Sequence, residues 1–201
     1  MAKGLIVLDP GHGRQGNPYP DMPGIYEGTQ MFLFAEYLRD ELIARDFAVM
    51  LTRQTIDDDP TLAERGEMAG KNGAVLFLSL HSNAPGAMED KEAYRAINGT
   101  TTFYSMTDPE GNIPLARALN DAVSAEMDNH NRGIHTREYP DRPGVDYYGV
   151  IRASAQSGCR RAILVEHGFH TNPADSAFLT DAEKMKNLAK LEANIIDEYL
   201  K

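Results

Sequence analysis

Short, nearly continuous apolar runs stand out along the chain, separated by longer segments in which apolar residues recur at helical spacing. Three of these runs predict buried strands, at residues 5–8, 75–80 and 162–165. Two weaker runs, at residues 47–51 and 101–104, predict two further strands. Strands of this kind are typical of a parallel sheet that is covered on both faces.

Helical periodicity fills most of the intervals between the strands. From Glu27 onward, Met31, Ala35, Leu38 and Leu42 fall on one face of a predicted helix. The same spacing predicts helices over residues 61–71 and about 113–127, and a last helix that carries Leu188, Leu191, Ile195 and Tyr199. Capping boxes are expected for the second and last of these helices, formed by Thr61 with Glu64 and by Thr180 with Glu183.

Three segments resist assignment to helix or strand. Prolines and glycines in residues 14–26 predict a loop, and the polar residues 85–99 predict a flexible excursion. Residues 129–149 predict a loop with short extended pieces. Strands that alternate with helices over 201 residues, with no repeat and no linker, predict one α/β domain. We expect a mostly parallel twisted sheet of about six strands, with helices on both faces.

The composition narrows the range of partners. The formal net charge is −10, from 30 acidic and 20 basic side chains, which disfavours nucleic acid or an anionic membrane surface as the main partner. No apolar stretch approaches the roughly 20 residues needed to cross a bilayer, and no signal peptide is visible. Cys159 is the only cysteine, so no intrachain disulfide can form, and we expect it in the core.

Residues able to do chemistry follow the three strongest predicted strands. His12 comes just after the first strand and its Asp-Pro-Gly turn, while His81 and Glu166 directly follow the other two. The carboxyl ends of parallel strands meet at one edge of a sheet, where α/β proteins bind ligands. Glu27, at the start of the first helix, can reach the same edge. We therefore expect these four side chains to converge.

Two imidazoles and one carboxylate are a common ligand set for catalytic zinc, with a position left for water. In that interpretation His12, Glu27 and His81 hold the metal, and Glu166 is a carboxylate that does not bind it. The spacing leaves other interpretations open. Histidines at strand ends are often hydrogen-bonded turn residues, Glu27 suits a first helical turn for dipole reasons, and Glu166 could cap a turn at Gly168.

A set of short motifs resolves much of this ambiguity by resemblance. The segments are residues 6–13 (IVLDPGHG), Tyr26-Glu27, residues 51–53 (LTR), residues 78–84 (LSLHSNA) and residues 164–169 (LVEHGF). In this order they resemble the zinc-dependent N-acetylmuramoyl-L-alanine amidases of bacterial autolysins, sporulation hydrolases and phage endolysins. The similarity extends over nearly the whole chain and includes residues 131–133 and 172–173.

The resemblance implies that residues 1–201 are an amidase catalytic domain with one zinc ion per chain. By position it implies zinc on His12, Glu27 and His81, and catalysis by Glu166 as base and then acid. The implied substrate is peptidoglycan, a glycan strand with its stem peptide, cleaved between N-acetylmuramic acid and L-alanine. No nucleic acid partner and no membrane insertion are expected.

Several details of the chain depart from the family pattern or qualify it. The loop after His12 is rich in proline, and residues 85–99 and 137–146 are longer or more polar than is typical, which leaves substrate preference open. His167 and His170 are unusual neighbours of Glu166, and we expect them on the rim of the site as hydrogen-bonded polar residues. Asp9 and Asn83 could orient the histidines or simply form turns.

Two alternative functions remain open at this point. A zinc peptidase or deacetylase would use the same chemistry on another cell-wall acyl group. A non-catalytic peptidoglycan-binding module would use zinc structurally, although a structural site would more often fill its fourth position with another side chain. The expected site of action is the cell wall. The enzyme would reach it as a trimmed secreted protein, a phage endolysin released by a holin, or a mother-cell enzyme.

Overall fold

The computed structural model describes residues 2–201. In this part of the chain the strands are β1 (Leu5–Pro10), β2 (Ala48–Leu51), β3 (Leu76–Asn83), β4 (Thr100–Tyr104), β5 (Asn131–His135), β6 (Glu138–Tyr139), β7 (Arg142–Asp146) and β8 (Ala162–Phe169). The helices are α1 (Glu27–Ile43), α2 (Leu62–Lys71), α3 (Lys91–Ala96), α4 (Pro109–Glu126), α5 (Gly149–Ser157), α6 (Pro173–Leu179) and α7 (Ala182–Tyr199).

Six of the strands form one sheet in the order β2-β1-β3-β8-β4-β5. Neighbouring strands are parallel throughout, except that β4 runs antiparallel to β8. The remaining two strands, β6 and β7, form a separate antiparallel hairpin. The prediction of a mostly parallel sheet of about six strands in a single α/β domain is confirmed.

Helices cover both faces of the sheet, because successive strand residues point to opposite sides. Leu8 packs into a core shared with α1, α4 and α7, whereas its neighbour Val7 faces a second core built with α2 and α5. Both residues are fully buried. Each such aliphatic side chain contributes about 1.5–3 kcal/mol of hydrophobic stabilisation, so the two cores fix the position of the sheet.

The order of strands reverses beside β1. Helix α1 leads from β1 to β2 on one side, and α2 then leads from β2 back to β3 on the other side of β1. In open α/β sheets such a reversal leaves a crevice at the carboxyl ends of the two strands. Here those are the ends of β1 and β3, so the topology itself places His12 and His81 at a binding crevice.

Capping differs between the two predicted boxes. The box of Thr61 and Glu64 at the start of α2 is confirmed. The box of Thr180 and Glu183 is wrong, because Asp181 caps α7 and accepts hydrogen bonds from the backbone of Glu183 and Lys184. The Thr180 hydroxyl instead donates to the Ser176 carbonyl at the end of α6.

The segments without a clear period contain regular structure, which includes the short extended pieces predicted within residues 129–149. Helix α3 lies inside the polar excursion, and β5, β6 and β7 occupy most of residues 129–149. Helices α5 and α6 were not predicted at all. Cys159 is buried, as expected. Among the described helices, none has the length and apolar character needed to span a membrane.

Candidate metal centre and active site

Three of the predicted side chains meet at the crevice beside β1. His12, Glu27 and His81 each offer one ligand atom, and these atoms lie within 4.8 Å of one another. Glu27 is fully buried in the first turn of α1. Its Oε1 is 3.0 Å from Nδ1 of His81, and its Oε2 is 3.4 Å from Nε2 of His12. Two imidazole nitrogens and one carboxylate oxygen form a donor set that suits zinc.

Further hydrogen bonds fix the orientation of the Glu27 carboxylate. The backbone N–H of Ser82 donates to Oε1 at 2.9 Å, and the Asn17 side chain donates to Oε2 at 2.7 Å. Asn17 belongs to the proline-rich loop between β1 and α1, so that loop helps to build the cluster. The carboxylate is therefore held from both sides in one orientation between the two imidazoles.

The backbone at His12 adopts a conformation that non-glycine residues rarely adopt. Its φ is +59°, in the left-handed region. This conformation turns the chain sharply at the end of β1. The preceding residue, Gly11, lies directly against the His81 side chain. A Cβ added at Gly11 would overlap the imidazole of His81. Strain of this kind costs of order 1 kcal/mol or more and tends to occur at functional sites, where the surrounding structure enforces it.

A buried ion pair enforces the turn. Asp9 accepts hydrogen bonds from the hydroxyls of Thr52 and Ser79, both at 2.7 Å, and from Arg65 at 3.0 Å. Arg65 in turn donates to the backbone carbonyl of Pro10 at 2.8 Å, and to that of His12 at 3.0 Å.

The proposed orienting role of Asp9 is therefore indirect. It contacts neither imidazole and instead holds the arginine that fixes the His12 backbone. The sequence pattern does not identify Arg65 as part of the site. Its only sequence signal is a charged residue in the middle of a predicted helix, where solvent exposure is the usual outcome.

Electrostatic coupling within the cluster shifts all three pKa values. Burial favours neutral Glu27, but the hydrogen bond from His81 and the charges of both histidines outweigh it and lower the pKa of Glu27 to about 2. Burial likewise disfavours charged His81, but Glu27 and then Glu166 raise the pKa of His81 to about 9. For His12, burial dominates and lowers the pKa. Without a metal, the cluster thus holds one carboxylate and one imidazolium.

Glu166 lies next to this cluster on the central strand of the sheet. It is paired in register with His81 across β3 and β8, and only part of its side chain is exposed. Its Oε2 is buried and has no hydrogen-bond partner. Burial raises its pKa to about 7, with the charge of His81 opposing the shift. A carboxyl group with this pKa can both accept and donate a proton near neutral pH.

The two neighbouring histidines do not lie on the rim of the site. His167 is fully buried and pairs through Nε2 with Glu192 of α7 at 2.7 Å, while its Nδ1 is 3.1 Å from the His81 carbonyl. His170 is also buried, stacks on Tyr19 and contacts the Ser82 hydroxyl. They are hydrogen-bonded as expected, but the rim location is wrong, because a bulge around Gly168 turns this end of β8 inward.

A cleft of about 860 Å³ opens onto the cluster and is lined by His12, His81, Asp59, Leu62 and Val150 among others. A second cleft of about 610 Å³ lies beside it, and both share Thr61 and Leu62 as wall residues. His130 and His135 lie on or beside β5 and are not part of the cluster.

Comparison with known proteins places this arrangement in a wider context. The family model described as N-acetylmuramoyl-L-alanine amidase matches residues 6–198. The amidase LytC of Bacillus subtilis is 29% identical over 183 residues, which cover 88% of this chain but only 32% of LytC. A sporulation-specific N-acetylmuramoyl-L-alanine amidase of the same species is 28% identical, with 96% of this chain and 67% of that protein covered.

A solved structure gives the same result at the level of the fold. The catalytic domain of CwlV, an N-acetylmuramoyl-L-alanine amidase from Bacillus (Paenibacillus) polymyxa var. colistinus, superposes with a TM-score of 0.79 at 26% identity. The match covers 98% of both chains. The chain therefore spans about the length of that catalytic domain, and about a third of LytC.

Proposed function

The chain belongs to the N-acetylmuramoyl-L-alanine amidase family, and from this membership we propose that residues 1–201 act as a catalytic domain that hydrolyses the amide between N-acetylmuramic acid and L-alanine in peptidoglycan. We propose further that His12, Glu27 and His81 hold one zinc ion. The observation that carries the proposal is that two imidazoles and a buried carboxylate meet beside Glu166 at the reversal of strand order.

The residues present fit zinc on chemical grounds. The donor set is two imidazole nitrogens and one carboxylate oxygen, and the described chain offers no fourth His, Cys, Asp or Glu ligand atom within the cluster. Three protein ligands with one open position are the pattern of catalytic zinc. Zinc bound there would make water a stronger acid and polarise the scissile carbonyl.

Glu166 is the residue we assign to proton transfer. As a carboxylate it would accept a proton from the attacking water, whose oxygen forms the new bond to the carbonyl carbon. As the C–N bond breaks, Glu166 would return that proton to the departing amine of L-alanine. A single group in both roles needs a pKa close to the working pH, and the pKa of about 7 meets this requirement.

The cell wall is the proposed site of action. The proposed substrate is the glycan strand of peptidoglycan with its stem peptide. The acidic net charge supports this choice over nucleic acid.

The decisive experiment compares Glu166→Gln with the parent protein on purified cell walls. The substitution keeps the shape of the side chain but removes its ability to accept a proton. General acid–base catalysis is worth about 10²–10⁴ in rate, so release of N-terminal alanine should fall by about that factor. Zinc content by mass spectrometry and the melting temperature should stay within error, because Glu166 is not among the proposed ligands.

Two controls make this test specific. Glu126→Gln makes the same chemical change at an exposed position on α4 and should leave alanine release unchanged. His81→Ala should lose both zinc and activity. Loss of zinc in Glu166→Gln would make that residue a ligand, and near-full activity would assign proton transfer to another group. Release of a different amine or of acetate from the wall would favour the peptidase or deacetylase alternative.

A further inference from the structure

The β6–β7 hairpin carries arginines that have no carboxylate partner. Arg137, just before the hairpin, and Arg142, within it, are both exposed. The ion pairs formed by arginines in the described chain do not include either of them. Glu138 and Asp141 are close in sequence and also exposed, yet neither pairs with them.

Each of these guanidinium groups instead lies over a tyrosine ring. Arg137 is 3.7 Å from the ring centroid of Tyr147, and Arg142 is 4.0 Å from that of Tyr139. The two tyrosine rings lie 5.8 Å apart. Stacking fixes the plane of a guanidinium group but leaves its N–H donors free at the edge. The hairpin therefore presents two oriented cations. Arg137 also interacts with the Tyr148 hydroxyl, and the remaining donors of both arginines are available for a ligand.

Aromatic contacts connect the hairpin to the active site. Tyr147 packs against Tyr148 at 5.5 Å between ring centroids, and Tyr148 packs on Phe103 of β4 at 4.6 Å. Phe103 lies two residues from Thr101, which is paired in register with Glu166. Residues two apart on a strand share a face, so this series of rings leads from the hairpin to the proton-transferring carboxylate. Burial and the Glu166 charge together raise the pKa of Tyr148, consistent with this proximity.

A second contact anchors the hairpin beside the cleft. Arg152 of α5 donates to the backbone carbonyls of Asp146 and Tyr147, at 2.7 and 2.9 Å. Val150, in the first turn of the same helix, lines the cleft that contains His12 and His81. The hairpin is thus fixed to the wall of the cleft and does not project freely into solvent.

We propose that Arg137 and Arg142 form a subsite for carboxylate groups of the stem peptide. Guanidinium groups recognise carboxylates through paired hydrogen bonds. A bare tyrosine surface would favour sugar rings, but here the guanidinium groups already cover Tyr139 and Tyr147. An acidic peptide therefore fits this surface better than the glycan does.

The position of the departing amine relative to Glu166 supports the same assignment. This argument rests on the proposed function. Glu166 delivers its proton to the departing L-alanine nitrogen, so the peptide begins at β8. In the sheet order, β4 and β5 lie beyond β8 on the side away from His12. On the opposite side of the site, the cleft arginines Arg14 and Arg65 are already paired with Asp57 and Asp59, so that side offers no unpaired guanidinium group to a carboxylate. The glycan would then lie on that side and the peptide on the side of the hairpin.

The test uses two synthetic muramoyl-peptide substrates, one with free carboxylates along the stem peptide and one with those groups converted to amides. The measured quantity is the ratio of kcat/KM for the acidic substrate to kcat/KM for the amidated one. The parent protein should favour the acidic substrate. Exposed ion pairs contribute modestly, so Arg137→Gln and Arg142→Gln should each reduce the ratio by about two- to fivefold, and the double variant should bring it close to one.

Matched variants separate this subsite from a general charge effect. Arg117→Gln removes the same charge at an exposed position on α4 and should leave the ratio unchanged. Arg137→Lys keeps the charge but not the paired donors, and should recover part of the ratio. An unchanged ratio in the double variant, or an equal fall in Arg117→Gln, would overturn the subsite while leaving the proposed function intact. Failure of the parent to cleave either substrate would instead reject the proposed function.

Discussion

Replacing Asp9 by asparagine is the sharpest test of how the proposed metal centre is supported. The change keeps the size of the side chain. Its amide oxygen can still accept from one of the two hydroxyls of Thr52 and Ser79, and the other hydroxyl can turn to accept from the amide NH2. The change removes the charge that Arg65 faces across a 3.0 Å contact, where both side chains are at most 3% exposed. Arg65 would then keep only Asp59 as a carboxylate partner, and that side chain is 69% exposed.

The size of the effect follows from this burial. Removing one partner of a buried ion pair costs about 3–5 kcal/mol, and the remaining contact with Asp59 favours the lower end, about 3 kcal/mol. At about 2–4 °C per kcal/mol for a chain of this size, the melting temperature of Asp9→Asn should fall by roughly 6–12 °C. Urea denaturation of metal-free protein would give the free energy of unfolding directly.

The matched control uses an exposed ion pair in the same cleft. Asp57 pairs with Arg14 at 2.9 Å, with side chains 70% and 57% exposed. Asp57→Asn makes the identical chemical change and should cost at most about 1 kcal/mol. If Asp9→Asn costs no more than Asp57→Asn, the buried pair does not support the turn and the reasoning is refuted. Zinc affinity provides a second readout, and should fall about tenfold in Asp9→Asn because Arg65 holds the His12 backbone.

Three further predictions concern the same region. Gly11→Ala should weaken zinc binding at least tenfold by equilibrium dialysis, because the added Cβ would displace the His81 imidazole; an unchanged affinity would mean that the ring moves freely. Zinc uptake at pH 7 should release about one proton. Burial lowers the pKa of His81, but Glu27 outweighs it and raises that pKa to about 9, so the imidazole is protonated at pH 7. It must lose this proton because a ligand imidazole is neutral. Calorimetry in buffers of different ionisation enthalpy would measure this release, which should vanish as the pH rises above that pKa. His167→Phe should cost about 3 kcal/mol in urea denaturation by leaving Glu192 buried and unpaired, and adding Glu192→Leu should recover most of the loss; no recovery would contradict the pairing.

The sequence was most informative where a single strand decides the position of a residue. His12, His81 and Glu166 each follow an apolar run, so the direction of the strands alone predicts that they meet. Parallel strands with helical crossovers allow few topologies, which is why the sheet could also be predicted. Glu27 needed the additional inference that helix N-termini lie at the same edge.

Prediction failed where a contact joins residues that are distant in sequence. Nothing near Arg65 indicates that it is buried against Asp9, and nothing near His167 indicates that Glu192 lies opposite it. Helix α3 has no buried residue and therefore no apolar period to detect. At the start of α7, two possible caps are adjacent in sequence, and only the geometry distinguishes Asp181 from Thr180.

The position of β8 has a consequence for how the chain becomes active during synthesis. All three proposed zinc ligands lie within the first 81 residues, on or next to β1, α1 and β3. Glu166 lies on β8, the last strand to be made, which nonetheless occupies the middle of the sheet between β3 and β4. Until it inserts, β3 and β4 each present an unpaired edge, which other chains could pair with. A nascent chain therefore contains all of its proposed metal ligands early, but the proposed active site is complete only when the central strand closes the sheet.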